Sequence, residues 1–350
     1  MTRMASTAAI IALVLAALGS GMGASAADYI PVHPTRQTSP VDESGFVPIG
    51  GINQWIQIRG DDRHNPVLLW LNGGPGYSTV PSTPAYRQWE KVFTLVMWDQ
   101  RGEGKTFERS GESVAPTMTI SRMTQDGIEV AEYLRRRLHK NRIILLGHSW
   151  GSILGIHMIK RRPDLFVAYV GTGQVVELER DAEAAYPLLL ERAKAVHNTT
   201  AERQLEEVGP PPYPDSPQKW VWVSWANALD PRPPAQTVAR ARRDKLPAYV
   251  AAGADFSQGL MWESIMRDDL PRLGTSFQVP MFFIQGAEDR LTVTALARQY
   301  FDCIHAPEKK FIVLPGVGHL AVFTAREAFL RELVEWVRPV ALAAERAAVP

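Results

Sequence analysis

The strongest chemical signal in the chain is one pentapeptide, Gly147-His148-Ser149-Trp150-Gly151. Its Gly-x-Ser-x-Gly pattern follows an apolar run, Ile143 to Leu146, and precedes a helical pattern over residues 153–162. A serine so framed sits on a strand-to-helix turn that is too tight for side chains at the flanking positions, hence the glycines. The turn lifts the hydroxyl above the sheet at a helix N-terminus, beside backbone N–H groups able to stabilise an oxyanion. The hydroxyl becomes a useful nucleophile only when a base takes its proton. That base is expected in the loop behind the last strand, and an acid in the loop before it. Phe311 to Leu314 runs into Pro315-Gly316-Val317-Gly318-His319, and of eight histidines only His319 follows a late strand through a Gly-x-Gly turn. Val279 to Ile284 runs into Gln285-Gly286-Ala287-Glu288-Asp289. Asp289 is the expected acid, which would fix the imidazole tautomer, with Glu288 one residue away as the alternative.

These loops need a scaffold. Val67 to Leu71, Phe93 to Trp98, Ile143 to Leu146, Phe166 to Val170, Val279 to Ile284 and Lys310 to Leu314 read as short strands. Helical patterns over 123–138, 153–162, 293–303 and 325–337 fall between and after them. Short, fully apolar strands alternating with helices predict an α/β fold: a mostly parallel central sheet flanked by helices on both faces. Gly50-Gly51 predicts a hairpin within Val47 to Arg59. From 177 to 274 the alternation stops, no strand is evident, and four of the ten tryptophans occur. We expect a core of residues 45–176 and 275–350 carrying a helical cap insertion, 177–274.

Composition narrows the function. The 350 residues carry 38 Lys+Arg against 37 Asp+Glu, without the basic field that a nucleic-acid partner requires. With 45% hydrophobic and 21% charged residues, global disorder is excluded. The single cysteine, Cys303, excludes an internal disulfide and is expected to be a small buried residue of its helix. No zinc-ligand spacing, phosphate-loop or dinucleotide glycine pattern occurs, so no metal or cofactor is implied. At the N-terminus, Arg3, an apolar run from Ala8 to Leu18, and Ala24-Ser25-Ala26 read as a signal peptide over 1–26. The run is shorter than the roughly 20 residues that span a bilayer. The expectation is therefore export, periplasmic or secreted, with no stable membrane insertion after cleavage. Residues 27–44 read as an extended arm.

Three segments together resemble the α/β-hydrolase superfamily and, within it, the proline iminopeptidase-like serine peptidases. Asn72-Gly73-Gly74-Pro75-Gly76 is similar to that family's His-Gly-Gly-Pro-Gly. Trp98-Asp99-Gln100-Arg101-Gly102-x-Gly104 is similar to its Asp-Gln-Arg-Gly-x-Gly, and Gly147-His148-Ser149-Trp150-Gly151-Ser152 to its Gly-x-Ser-Trp-Gly-Ser. The resemblance implies an oxyanion hole built from the backbone N–H groups of Gly74 and Trp150, and a bracing role for Asp99 and Arg101. It departs in two places. Asn72 stands where the family has histidine, and Trp225-Ala226 stands where a tryptophan is followed by an acid that holds the substrate amine. Glu177, Glu179 and Glu263, with Trp225, are the substitute substrate contacts that the cap offers.

The resulting expectation is an exported serine hydrolase that forms an acyl-enzyme on Ser149, of aminopeptidase type, releasing N-terminal residues from short peptides. A carboxylic-ester or non-peptide amide hydrolase would use the same triad. A binding receptor with a retained pocket is the reading from another class. A serine nucleophile disfavours epoxide hydrolase and dehalogenase chemistry, which in this fold uses an aspartate.

Overall fold

The computed structural model describes residues 39–213, 217–232 and 247–347. The signal-peptide reading of 1–26 and most of the arm lie outside them. Eight strands form one sheet: β1 (Val41–Ile49), β2 (Ile52–Gly60), β3 (Val67–Leu71), β4 (Thr94–Asp99), β5 (Ile143–His148), β6 (Phe166–Thr172), β7 (Met281–Gly286) and β8 (Lys309–Leu314). Their order is β1-β2-β4-β3-β5-β6-β7-β8. The first hairpin is antiparallel and joins β4 antiparallel; every later pairing is parallel. β1 begins at Val41, so the last residues assigned to the arm are instead hydrogen-bonded sheet, with Val41 opposite Gly60.

The apolar runs are legible as strands because both faces of the sheet are buried. Along β3 and β5, Leu69, Leu71 and Leu145 enter the core on one face, and Leu68, Trp70, Ile144 and Leu146 the core on the other. Each such side chain contributes roughly 1.5–3 kcal/mol when removed from water. Helices α1 (Gly104–Ser110), α2 (Ile120–Leu138) and α3 (Trp150–Arg161) connect the first half of the sheet. α2 ends where His139 adopts a left-handed conformation, φ +52°, and caps the helix.

After β6 the chain leaves the sheet for the cap: α4 (Leu178–Ala195), α5 (Thr199–Val208), α6 (Pro217–Ala228) and α7 (Ala248–Met266). A single antiparallel bridge, Glu177 to Asp269, joins the two ends of the cap. α8 (Thr294–Cys303) follows β7, and α9 (Arg326–Glu332) and α10 (Arg338–Ala347) close the chain. α10 extends past the helix end expected at Val337. Cys303, expected to be buried, is exposed because it closes the last turn of α8. Among the described residues, no helix is long and apolar enough to cross a membrane.

Candidate active site

All the chemistry-bearing loops leave the C-terminal ends of the parallel strands, where open α/β sheets bind their ligands. Gly147, one residue before the end of β5, pairs with Leu71 of β3. A Cβ on Gly147 would lie 2.4 Å from the carbonyl oxygen of Gly151, and one on Gly151 would lie 2.2 Å from that of Leu71. Only glycine allows helix α3 to start so close to the sheet. Between them Ser149 is held at φ +54°, ψ −121°, a conformation that L-residues avoid. Its amide donates to the carbonyl of Thr172 at 3.1 Å, and its own carbonyl accepts the Ser152 hydroxyl at 2.6 Å.

His319 and Asp289 meet from the loops after β8 and β7. The two loops are laced together: the Ala287 amide donates to Leu314 and that of Glu288 to Val317, at 2.9 and 3.0 Å. Nδ1 of His319 donates to Oδ2 of Asp289 at 3.0 Å, which leaves Nε2 as the basic nitrogen. The other Asp289 oxygen accepts the amides of Leu291 and Thr292, both at 2.9 Å. Burial alone would raise the Asp289 carboxyl. The His319 charge and these hydrogen bonds outweigh burial and hold it below its ordinary value. Glu288 instead turns towards solvent and pairs with Arg290 at 3.2 Å. Ser149 and His319 line one cavity, with Gly74 and Trp150 on its wall. Trp150 is the first residue of α3, so its N–H has no intrahelical acceptor and is available to an oxyanion.

Two supporting residues carry no motif of their own. The Thr292 hydroxyl donates to Oδ2 of Asp289 at 2.8 Å and lies 3.1 Å from Nδ1 of His319, bracing both partners. His148 has Nε2 3.1 Å from the carbonyl oxygen of His319, and burial followed by the nearby His319 charge depresses its pKa to about 3. A threonine three residues after an aspartate is too common to read. His148 is readable only as the variable position of the serine motif.

Beneath the oxyanion wall, Asp99 accepts the Ser78 hydroxyl at 2.5 Å and the Lys105 amide at 2.8 Å. Arg101 pairs with Asp126 at 2.9 Å and donates to the Gly50 carbonyl at 2.7 Å. Both residues brace loops and neither lines the cavity. Asn72 binds Glu103 and the Trp98 carbonyl on one side and the Thr79 hydroxyl on the other. Its amide ties the glycine loop to the end of β4.

The architecture has counterparts of known sequence. The family model described as serine aminopeptidase, S33, matches residues 63–324. The chain belongs to the S33 serine aminopeptidase family. Among similar proteins, a probable aminopeptidase, YbaC, of Bacillus subtilis (strain 168) is 29% identical over 287 residues, 77% of this chain and 88% of that one. The proline iminopeptidase of Lactobacillus helveticus is 22% identical over 306 residues, 84% and 97% of the two chains. The crystal structure of a proline iminopeptidase-related protein from Thermus thermophilus superposes with a TM-score of 0.62 at 23% identity, covering 87% of this chain and 98% of that one.

In this S33 hydrolase the cap contacts expected from sequence are not the ones that face the serine. Glu177 pairs with Arg180 at 3.2 Å, Glu179 is exposed, and Glu263 pairs with Arg267 at 2.6 Å on the outer surface of α7. Trp225 gives its indole N–H to Gln204 at 3.0 Å within the cap. Their neighbours line the cavity instead: Leu178, Trp262, and from α6 Trp220, Val223 and Asn227. Successive helical residues point about 100° apart, so an error of one position moves a side chain off the face.

Proposed function

We propose that this S33 serine hydrolase is an aminopeptidase that releases single small, apolar N-terminal residues, proline among them, from short peptides. One observation carries the reading. The cavity against Ser149 is roofed by cap helices and measures about 90 Å³, well under the roughly 300–1,000 Å³ of drug-sized sites, so it suits one small acyl group. Trp220 and Trp262, with ring centroids 5.4 Å apart, form an aromatic wall suited to a pyrrolidine ring. The names of the similar proteins, a probable aminopeptidase and a proline iminopeptidase, support a peptide substrate.

In this mechanism His319 Nε2 takes the Ser149 proton as Oγ attacks the scissile carbonyl. Gly74 and Trp150 N–H groups hold the oxyanion, and losing one such donor typically costs about 10²–10³ in rate. The imidazolium, stabilised by Asp289, protonates the departing amine. Water then repeats the sequence on the acyl-enzyme. The small-x-small site behind the apolar N-terminal run supports export as part of the proposal.

The test is kcat/KM on prolyl and alanyl arylamides against short aryl esters, with fluorophosphonate labelling in parallel. Preferred arylamide cleavage that disappears, together with the label, in Ser149→Ala is the expected result. Ester cleavage with no arylamide turnover would replace the aminopeptidase by an esterase.

A further inference from the structure

The cap touches the catalytic loops at one buried carboxyl. Helix α6 presents Trp220, Val223 and Asn227 to the cavity, and α7 presents Gln258 and Trp262. Three residues after Asn227 the chain turns at Asp230, which is only 4% exposed. Its Oδ1 accepts the Arg232 amide at 2.9 Å, a local turn that fixes the carboxyl. Oδ2 is then packed against Gly318, the residue before His319. A Cβ at position 318 would collide with Oδ2 of Asp230 and lie 2.8 Å from the Glu288 carbonyl oxygen. The second glycine of the Gly-x-Gly turn is thus required because a cap carboxyl and the acid loop both close on it.

The contact is electrostatic as well as steric. Burial raises the Asp230 carboxyl above its ordinary value and the Asp289 charge adds to this, while the Arg232 amide, the His319 charge and the Gly318 amide favour ionisation. Such coupling is reciprocal: if protonated His319 favours ionised Asp230, ionised Asp230 favours protonated His319 to the same extent.

The other titratable groups at these loops have different engagements. Asp289 accepts from Nδ1 of His319, and His148 sits on the His319 carbonyl with its pKa depressed to about 3, hence uncharged. Glu288 pairs with Arg290, and Arg192 of α4 donates to the Leu229 carbonyl at 3.4 Å. Asp181, a second cap carboxyl, accepts the Val293 amide at 2.8 Å, and burial pushes it well above its ordinary value.

Resting on the triad reading, we infer that Asp230 is a positioning residue for the base: a carboxylate of the cap that seats the Gly318–His319 turn and, with Asp289, stabilises the imidazolium. It exchanges no proton. The Ser149 proton goes to Nε2 of His319 and from there to the leaving group, while Asp230 keeps its charge throughout. The helix that faces the substrate and the loop that carries the base are thereby joined through one side chain.

The full chain is labelled with a fluorophosphonate from pH 5 to pH 9, and the rate constant is compared between the unmutated protein and Asp230→Asn. The asparagine keeps the shape and the acceptor for the Arg232 amide. Labelling needs the serine and its base but no peptide recognition, so the result does not depend on the substrate. Loss of the charge should lower the plateau about tenfold. It should also move the acid limb down by about 0.5 pH unit, because the imidazole then protonates less readily. An acid limb that stays in place overturns the inference whatever happens to the plateau, since a merely structural role would lower the plateau alone. An equal displacement in Asp181→Asn overturns the assignment to Asp230. Asp230→Ser, whose hydroxyl also accepts the Arg232 amide, gives the same reading should the asparagine variant not fold. Labelling that survives Ser149→Ala defeats the triad reading by itself. The His319 titration, followed by NMR on histidine-labelled protein and assigned by its loss in His319→Gln, then still decides the coupling: a downward move in Asp230→Asn supports it and none overturns it.

Discussion

The carbonyl oxygen of His319 lies 3.1 Å from Nε2 of His148, so the residue immediately before the nucleophile holds the backbone of the proposed base. The rings are also close, with centroids 5.0 Å apart and planes tilted by 47°. In the proposed mechanism, this contact would make the variable position of the serine motif a positioning residue for the loop that carries the proposed base. His148→Ala should lower kcat/KM by about 10–100-fold, within the usual range for lost general-base alignment. His148→Gln places an amide N–H near the same point and should recover part of the loss. Equal activity in the two variants would show that the contact does not position His319.

Asp289→Asn should leave the fold intact and reduce kcat by about 10³–10⁴, because the amide favours the wrong imidazole tautomer. Thr292→Val removes the hydroxyl that touches both partners and should cost about tenfold. Steady-state kinetics, with circular dichroism as the control for folding, separates these effects from unfolding.

Two buried carboxyls should make stability depend on pH near the oxyanion loop. Burial raises Asp99 to about 7, and burial with the neighbouring Asp99 charge raises Glu103 well above its ordinary value. A carboxyl whose folded pKa lies above the unfolded one favours the native state while it is protonated. That contribution is complete below the unfolded value near 4 and is lost as the pH climbs through the folded value. Glu103→Gln should therefore raise the melting temperature more at pH 8 than at pH 5. Thermal scans at the two pH values check the sign.

The backbone of Ser149 should be a measurable strain. A non-glycine residue at φ +54° and ψ −121° costs about 1–3 kcal/mol. Ser149→Gly should then stabilise the protein by about 1 kcal/mol while abolishing hydrolysis, and Ser149→Ala should abolish hydrolysis without that gain. Denaturant midpoints for the two variants make the comparison.

Much of the sheet is readable because a strand buried on both faces needs an unbroken apolar run, as in Val67 to Leu71 and Ile143 to Leu146. The catalytic loops are readable because steric crowding permits only glycine at 147 and 151. The cap is not readable to the residue. α7, from Ala248 to Met266, is apolar around much of its circumference, so periodicity does not say which side meets the serine. Glu263 is expected there and its neighbour Trp262 lies there instead. Asn227 and Gln258 carry no signal because a lone amide in a helix is usually solvated surface. The first strand starts earlier than expected, since Val41-Asp42-Glu43-Ser44 is polar enough to resemble a connecting arm.

The bridge between Glu177 and Asp269 brings the entry and exit of the roof to one point above the sheet. A segment whose two ends touch can be lengthened, shortened or exchanged with little displacement of the strands on either side. On the proposed reading, substrate selectivity would then sit mostly in the roof and proton transfer in the loops of the sheet, so the roof, Asp230 apart, could diverge while the loops beneath it stay constant.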